Sequence, residues 1–211
     1  VNQDVSKVIT GRLGPSALIG IQAVLIGLAI GLILGILAAW KHNSGIDYFT
    51  MILAVLGVSV PNFVAAALLQ YYIGLKWGVL PVGFWTGWNC SVLPSIALSF
   101  SATAMVARFM RTEMLDVLDQ DYIVTARAKG LSQMKVLMRH AVRNSILPVV
   151  TILGPIVVNL MTGSLAVENI FSIPGIGSLF VDCIKANDYP VIMGITCLLY
   201  TSDAADDLTR V

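Results

Sequence analysis

Charged side chains are scarce in this sequence. Only 12% of its 211 residues are Asp, Glu, Lys or Arg, 57% are hydrophobic, and the mean hydropathy is +0.84. Soluble domains carry about 25% charged residues. A chain this apolar could not keep its surface from water in one globule of ordinary size, so lipid is the expected solvent for much of it. The net charge is +1, which gives no broad attraction to nucleic acid, and none is expected as a partner. The three cysteines, Cys90, Cys183 and Cys197, form no Cys-x-x-Cys pair and have no histidine close by, so they read as small apolar residues and no metal site is expected. There is also no Gly-x-x-x-x-Gly-Lys-Ser/Thr loop, so this chain is not expected to bind ATP or any cofactor itself. No catalytic set stands out, and an enzyme is not expected.

What is abundant is uncharged length. Residues 17–40, 48–75, 92–107 and 146–167 contain no Asp, Glu, Lys, Arg or His, and a fifth apolar run begins near Tyr189 and stops at about Tyr200. Crossing roughly 30 Å of hydrocarbon takes about 20 helical residues. The fold class is therefore all-α, a polytopic bundle of transmembrane helices, with 92–107 a short member. Pro61 and Pro155 lie inside two of the runs and mark expected kinks, which neighbouring helices in a bundle can accommodate. Gly27, Gly31 and Gly35 put three bare patches on one helical face, a pattern that lets another helix approach closely.

The missing intramembrane charges argue against proton-driven transport, which generally needs an ionisable group in the span. Sodium coupling through backbone carbonyls needs none and stays open. The polar residues inside the apolar runs, Asn62, Ser99, Ser101, Thr103, Asn159 and Thr162, are the candidates for lining a translocation pathway. Each also suits a helix–helix hydrogen bond, worth about 0.6 kcal/mol.

Basic residues set the orientation. Arg108, Arg111, Arg127, Lys129, Lys135, Arg139 and Arg143, seven of the thirteen Lys and Arg, lie between the third and fourth runs and place that segment in the cytoplasm. Alternation puts Lys41 and His42 inside as well, with residues 76–91 and 163–188 outside. Lys7 and Arg12 would then lie outside, a mild exception. Cys90 and Cys183 share the outer side, where a disulfide is sterically conceivable. Trp77, Phe84, Trp85 and Trp88 in the first outer loop suit headgroup-level anchoring.

Residues 113–145 are too polar for lipid and too patterned for a slack loop. Asp119 or Asp121 can cap a helix through Lys129, and Gly130 can end it in a left-handed turn. Ser132 can cap a second helix over 133–144, with Lys135, Arg139 and Arg143 on one face at four-residue spacing and Val136, Leu137 and Met138 as apolar contacts. The result is a helix, a glycine hinge and a helix on the cytoplasmic side.

The stretch Asp121-Tyr122-Ile123-Val124-Thr125-Ala126-Arg127-Ala128-Lys129-Gly130-Leu131, followed by Arg139-His140-Ala141-Val142-Arg143-Asn144 and Leu147-Pro148, resembles the cytoplasmic "EAA" loop of bacterial ABC importer permeases, closest to the dipeptide, oligopeptide and nickel branch. Ser59-Val60-Pro61-Asn62-Phe63 agrees with that branch. So does Val167-Glu168-Asn169-Ile170-Phe171-Ser172-Ile173-Pro174-Gly175-Ile176-Gly177, continuing to Asp188-Tyr189-Pro190. The likeness covers about 11–195. Two departures stand: Val124-Thr125-Ala126 occupies the place of Glu-Ala-Ala, and a proline common in other branches is absent near Arg143.

The resemblance implies a type I importer permease in a bacterial cytoplasmic (inner) membrane, working by alternating access. Its implied partners are a second permease subunit (a homologue or another copy of itself), two cytoplasmic ATP-binding subunits that use ATP, and an external solute-binding protein. It further implies that 121–130 is a coupling helix docking on the ATPase, with Asp121, Tyr122, Thr125, Ala126, Arg127, Ala128 and Gly130 as its contact residues. The competing expectation is a channel or uniporter that works without ATP. Glu168 and Pro174-Gly175-Ile176-Gly177 are expected to form an outer helix break or re-entrant turn.

The ends complete the reading. The sequence starts at Val1 without Met and without a signal pattern, and residues 1–200 are expected to form a permease domain short of its first helix and of the end of its last. From about Cys197 the last run turns acidic at membrane depth, where each Asp costs about 2.5–3.5 kcal/mol. Residues 201–211 are expected to be a non-native or disordered tail.

Overall fold

The computed structural model describes residues 4–161 and 165–208. Its helices are α1 (Val5–Trp40), α2 (Gly45–Ser59), α3 (Asn62–Leu69), α4 (Asn89–Leu118), α5 (Asp121–Ala128), α6 (Gln133–Val136), α7 (Arg143–Met161), α8 (Leu165–Ile170), α9 (Ile176–Ala186) and α10 (Tyr189–Leu208). Two wide-turn π segments occur. Gln70–Lys76 prolongs α3, and Leu137–Val142 joins α6 to α7 without a break. Three helical stretches, Val5–Trp40, Asn89–Leu118 and Gln133–Leu160, are long and apolar enough to cross a bilayer; α2 and the α3 segment pass the same test only as a bent pair.

Several expectations shift. The short third run is part of a 30-residue helix that continues past its basic end to Leu118. Pro61 does not kink a span but interrupts it: Ser59 ends α2, and Pro61 (φ −58°, ψ 137°) stands before α3. A proline disfavours helical geometry in the residue before it, and its missing N–H costs least just ahead of a helix start. Pro155 leaves α7 helical on both sides. The cysteines are free, with Cys90 and Cys183 buried and Cys197 exposed, so the conceivable disulfide is not formed.

The chain divides into two compact units. The first comprises Val1–Ile26, Val60–Phe100 and Gly154–Val211; the second comprises Gly27–Ser59 and Ser101–Leu153. In the first, Ile176, Leu179, Cys183, Val191 and Ile195 form a core against Val5, Val8, Ile9 and Leu13. Its outer loop is pinned: Gln70 Nε2 donates to Val82 O (2.6 Å) and Ile170 O (2.8 Å), and Phe84 N donates to Phe171 O (3.1 Å). Trp77, Phe84 and Trp88 of that loop are exposed.

The expected outer break is present, and Glu168 organises it. The carboxylate is 2% exposed. It accepts from Ser16 Oγ (2.7 Å) and Ser178 N (3.1 Å), while Ser16 Oγ accepts from Ile176 N (2.9 Å). Gly175, at the N-cap of α9, has no side chain to meet that helix's first N–H groups; Glu168 and Ser16 supply the acceptors instead. Burial pushes the Glu168 carboxyl above its ordinary range, against the lowering effect of these hydrogen bonds.

In the second unit the glycine ladder is a helix–helix seam. A Cβ at Gly27, Gly31 or Gly35 would come within 2.7 Å of Ala102 Cβ, 2.7 Å of Val106 Cβ or 2.8 Å of Met110 Cβ. Those partners are themselves four residues apart on α4. Backbone is close as well: the added Cβ would lie 2.9 Å from Thr103 O at Gly31 and 2.7 Å from Ala107 O at Gly35. Gly31→Val should therefore lower stability by about 1–3 kcal/mol, the usual cost of overpacking. Thermal unfolding of the detergent-solubilised protein tests this, and an unchanged melting temperature would reject the seam.

Candidate functional site

Eight residues make α5, too few to be stable as an isolated helix in water. Tertiary packing holds it. Ile123 and Ala126, three apart and thus neighbours on one face, are 0% and 6% exposed and pack with Val136 against Val117, Leu118 and Leu131. Gln120 N-caps the helix in extended geometry (φ −76°, ψ 146°) without a side-chain bond. Neither Asp119 nor Asp121 is the cap. Asp121 is the first helical residue, where its charge suits the positive end of the helix dipole. Ser132 does stand at the N-cap of α6, also without a side-chain bond. Gly130 has φ +77°, the left-handed end predicted for α5, and its N–H returns to Arg127 O (3.0 Å).

The contact residues named from the resemblance separate onto different sides. Asp121, Tyr122, Thr125, Arg127, Ala128 and Gly130 are exposed. Ala126 is turned inward, packed in the cluster with Ile123 and Val136. Opposite the buried face lie Asp121, Val124, Thr125 and Ala128, and Val124 is 59% exposed. An exposed valine beside a buried isoleucine is a signal that helical phase alone could have supplied. Tyr122 Oη accepts from Asn144 Nδ2 (2.9 Å), tying the flank of α5 to α7. Next to it Arg139, His140, Arg143, Asn144, Ile146 and Leu147 line an open cleft of about 610 Å³. Lys135, Arg139 and Arg143 are all exposed, with Arg139 inside the π segment. Of the apolar trio, Val136 and Leu137 are buried and Met138 is exposed.

A cluster that the sequence reading passed over lies two to three turns up α4. Asp47, in the first turn of α2, is 2% exposed. Its Oδ1 accepts from Arg111 Nε (2.5 Å) and its Oδ2 from Arg111 Nη2 (2.8 Å) and Asn43 N (3.0 Å); His42 Nδ1 lies 3.0 Å from Oδ2. Arg111 and His42 are among the residues expected on the cytoplasmic side. Asp47 was passed over because it precedes the uncharged run that begins at Tyr48.

The pathway candidates are less unified. Asn62, Ser99 and Asn159 belong to the first unit, Ser101 and Thr103 to the second. Thr162 lies outside the described residues. Ser99 is buried, with its hydroxyl on Ile96 O (2.8 Å) of its own helix. Thr103 stands in the α1–α4 seam.

Against known proteins, the model of the family described as "Binding-protein-dependent transport system inner membrane component" matches residues 31–202. The chain belongs to this family. Other members include dipeptide transport system permease proteins of Lactococcus lactis (45% identical, 92% of this chain and 64% of that protein) and Bacillus subtilis (48%, 84% and 58%). The oligopeptide transport system permease protein of Escherichia coli is 38% identical over 92% of this chain and 64% of its own length. The chain thus spans about three fifths of the relatives it matches. Two solved structures share the fold of this family member. One, described as an amino acid ABC transporter with histidines, has a TM-score of 0.74 at 18% identity, covering 97% of this chain and 92% of that one. The other, the inward-facing MetNI methionine ABC transporter, has a TM-score of 0.74 at 15%, covering 100% and 98%. The multi-pass all-α reading agrees with both.

The two faces of α5 differ in what they hold. Ile123→Ala should cost about 2–4 kcal/mol through the cavity it leaves and expose 121–130 to protease, whereas Val124→Ala should leave both unchanged. Limited proteolysis and thermal unfolding of the two variants distinguish the faces.

Proposed function

We propose that this chain is a membrane-spanning subunit of an ATP-driven ABC importer for peptides or related small solutes, and that α5 with Gly130 couples it to the ATPase. The observation that carries this reading is the division of α5 into a face buried on its own unit and an exposed face with Asp121, Val124, Thr125 and Ala128. A helix that short, held firmly from behind and presenting a small apolar centre, suits a groove on another protein. The family match and the peptide-permease relatives supply the substrate class.

In this scheme the permease is paired with a homologous subunit or a second copy. Two ATP-binding subunits hydrolyse ATP from the cytoplasmic side, and a solute-binding protein delivers substrate from outside. The protein is neither an enzyme nor an ATP binder itself. Its place is the bacterial cytoplasmic membrane. Asn62, Ser99, Ser101, Thr103, Asn159 and Thr162 remain the proposed pathway contacts. The basic cleft of Arg139 and Arg143 flanks the docking face and suits acidic groups on the ATPase.

Val124→Glu places a charge at the centre of the docking face, and Gly130→Pro forbids φ +77° and deletes the Gly130 N–H bond. Each should reduce ATP-dependent uptake of a labelled dipeptide in membranes carrying the whole transporter roughly tenfold or more, equivalent to about 1.4 kcal/mol. Undiminished uptake by both variants would favour a channel or uniporter.

A further inference from the structure

The carboxylate of Asp47 gathers both bonds of the Arg111 fork, the Asn43 amide and the His42 ring in a site nearly closed to solvent. Replacing such a buried pair with apolar packing is commonly neutral or stabilising, so stability alone does not account for it. A bidentate pair does something packing does not: it fixes distance and angle together.

Its location matters. Arg111 lies on α4 seven residues before that helix ends at Leu118, roughly 10 Å along its axis. At the same level α1 crosses close by, since a Cβ at Gly35 would sit 3.2 Å from Arg111 N. Below it, Ser145 Oγ donates to Glu113 O (3.2 Å), and Val117 and Leu118 receive α5. The α1–α4 seam of glycine against Ala102, Val106 and Met110 is a close van der Waals contact. Hydrogen bonds between the two helices lie farther from α5, where Ser95 Oγ donates to Ile19 O (3.3 Å) and Gln22 Oε1 (2.9 Å). Nearer α5, the Asp47–Arg111 ion pair is a directional contact whose other end is the first turn of α2.

We propose that Asp47 and Arg111 are positioning residues of the coupling step: the pair carries displacement of α5 into α2 instead of letting α4 slip along α1. This rests on the reading of α5 as the coupling helix. His42 braces the same oxygen from the Lys41–Ser44 turn, so that turn moves with α2.

The test uses the complete transporter, with full-length permease, in proteoliposomes. Uptake of a labelled dipeptide and ATP hydrolysis are measured separately, and co-purification of the ATPase is measured as assembly. Arg111→Lys keeps the charge without the fork, and Asp47→Asn keeps the shape without the charge. Both should still assemble while dipeptide taken up per ATP hydrolysed falls about tenfold, and the exchanged pair Asp47→Arg with Arg111→Asp should recover part of the ratio. An unchanged ratio in assembled Arg111→Lys and Asp47→Asn overturns the proposal. So does loss of assembly in both, which would make the pair a fold-holding contact only. Val124→Glu separates the two ideas: if it abolishes uptake while the ion-pair variants keep the normal ratio, the coupling helix stands and the strut falls. If it leaves uptake intact, the coupling reading itself fails.

Discussion

Two helices in lipid gain little from excluding water, so what brings them together is close contact along their length. The seam between α1 and α4 is that contact here. Three glycines on one helix meet three small or flexible residues on the other, four by four, with backbone nearly touching side chain. The other features of the second unit hang from α4: the Arg111 fork, the Glu113 carbonyl that holds Ser145, and the Val117–Leu118 bed of α5. Widening the seam would displace all of them at once.

The region around α5 gains firmness from how little of it is loop. Only Asp119 and Gln120 separate α4 from α5, and the helical path from Gln133 passes through a π segment directly into the fourth apolar run. A partner gripping α5 would thus meet elements continuous with the membrane part rather than a tethered arm. The π segment gives up ideal helix geometry over residues 137–142, beside the basic cleft. Such bulges often sit at functional positions.

Much of this was legible in the residues. Uncharged length located the spans, the four-residue glycine spacing foretold the seam, and Gly130 announced the left-handed end of α5. The family motifs then gave the architecture its type. What escaped has physical causes. Hydropathy ends a span at the first charge, whereas a helix continues as long as its backbone bonds do, so α4 was read eleven residues short. Asp47 escaped for a different reason: its partner is 64 residues away, and pairing at that distance has no local signature. The inward turn of Ala126 depends on where α4 ends, which sequence alone did not reveal. The Pro61 break was read as a bend because proline disrupts a helix without specifying how far the chain turns afterwards.

The Ser16–Glu168–Ile176 knot has a consequence for biosynthesis. Its oldest and youngest members are 160 residues apart, and ribosomes add about 5–20 residues per second. Helix α1 must therefore wait on the order of ten seconds before the chain that completes its polar contact has been made. Until then Ser16 has only its own helix or passing water to satisfy it, and α9 cannot acquire its acceptors. Closure of the first unit is in this sense a late event of translation, and an insertase or chaperone that shelters nascent α1 would act during that interval.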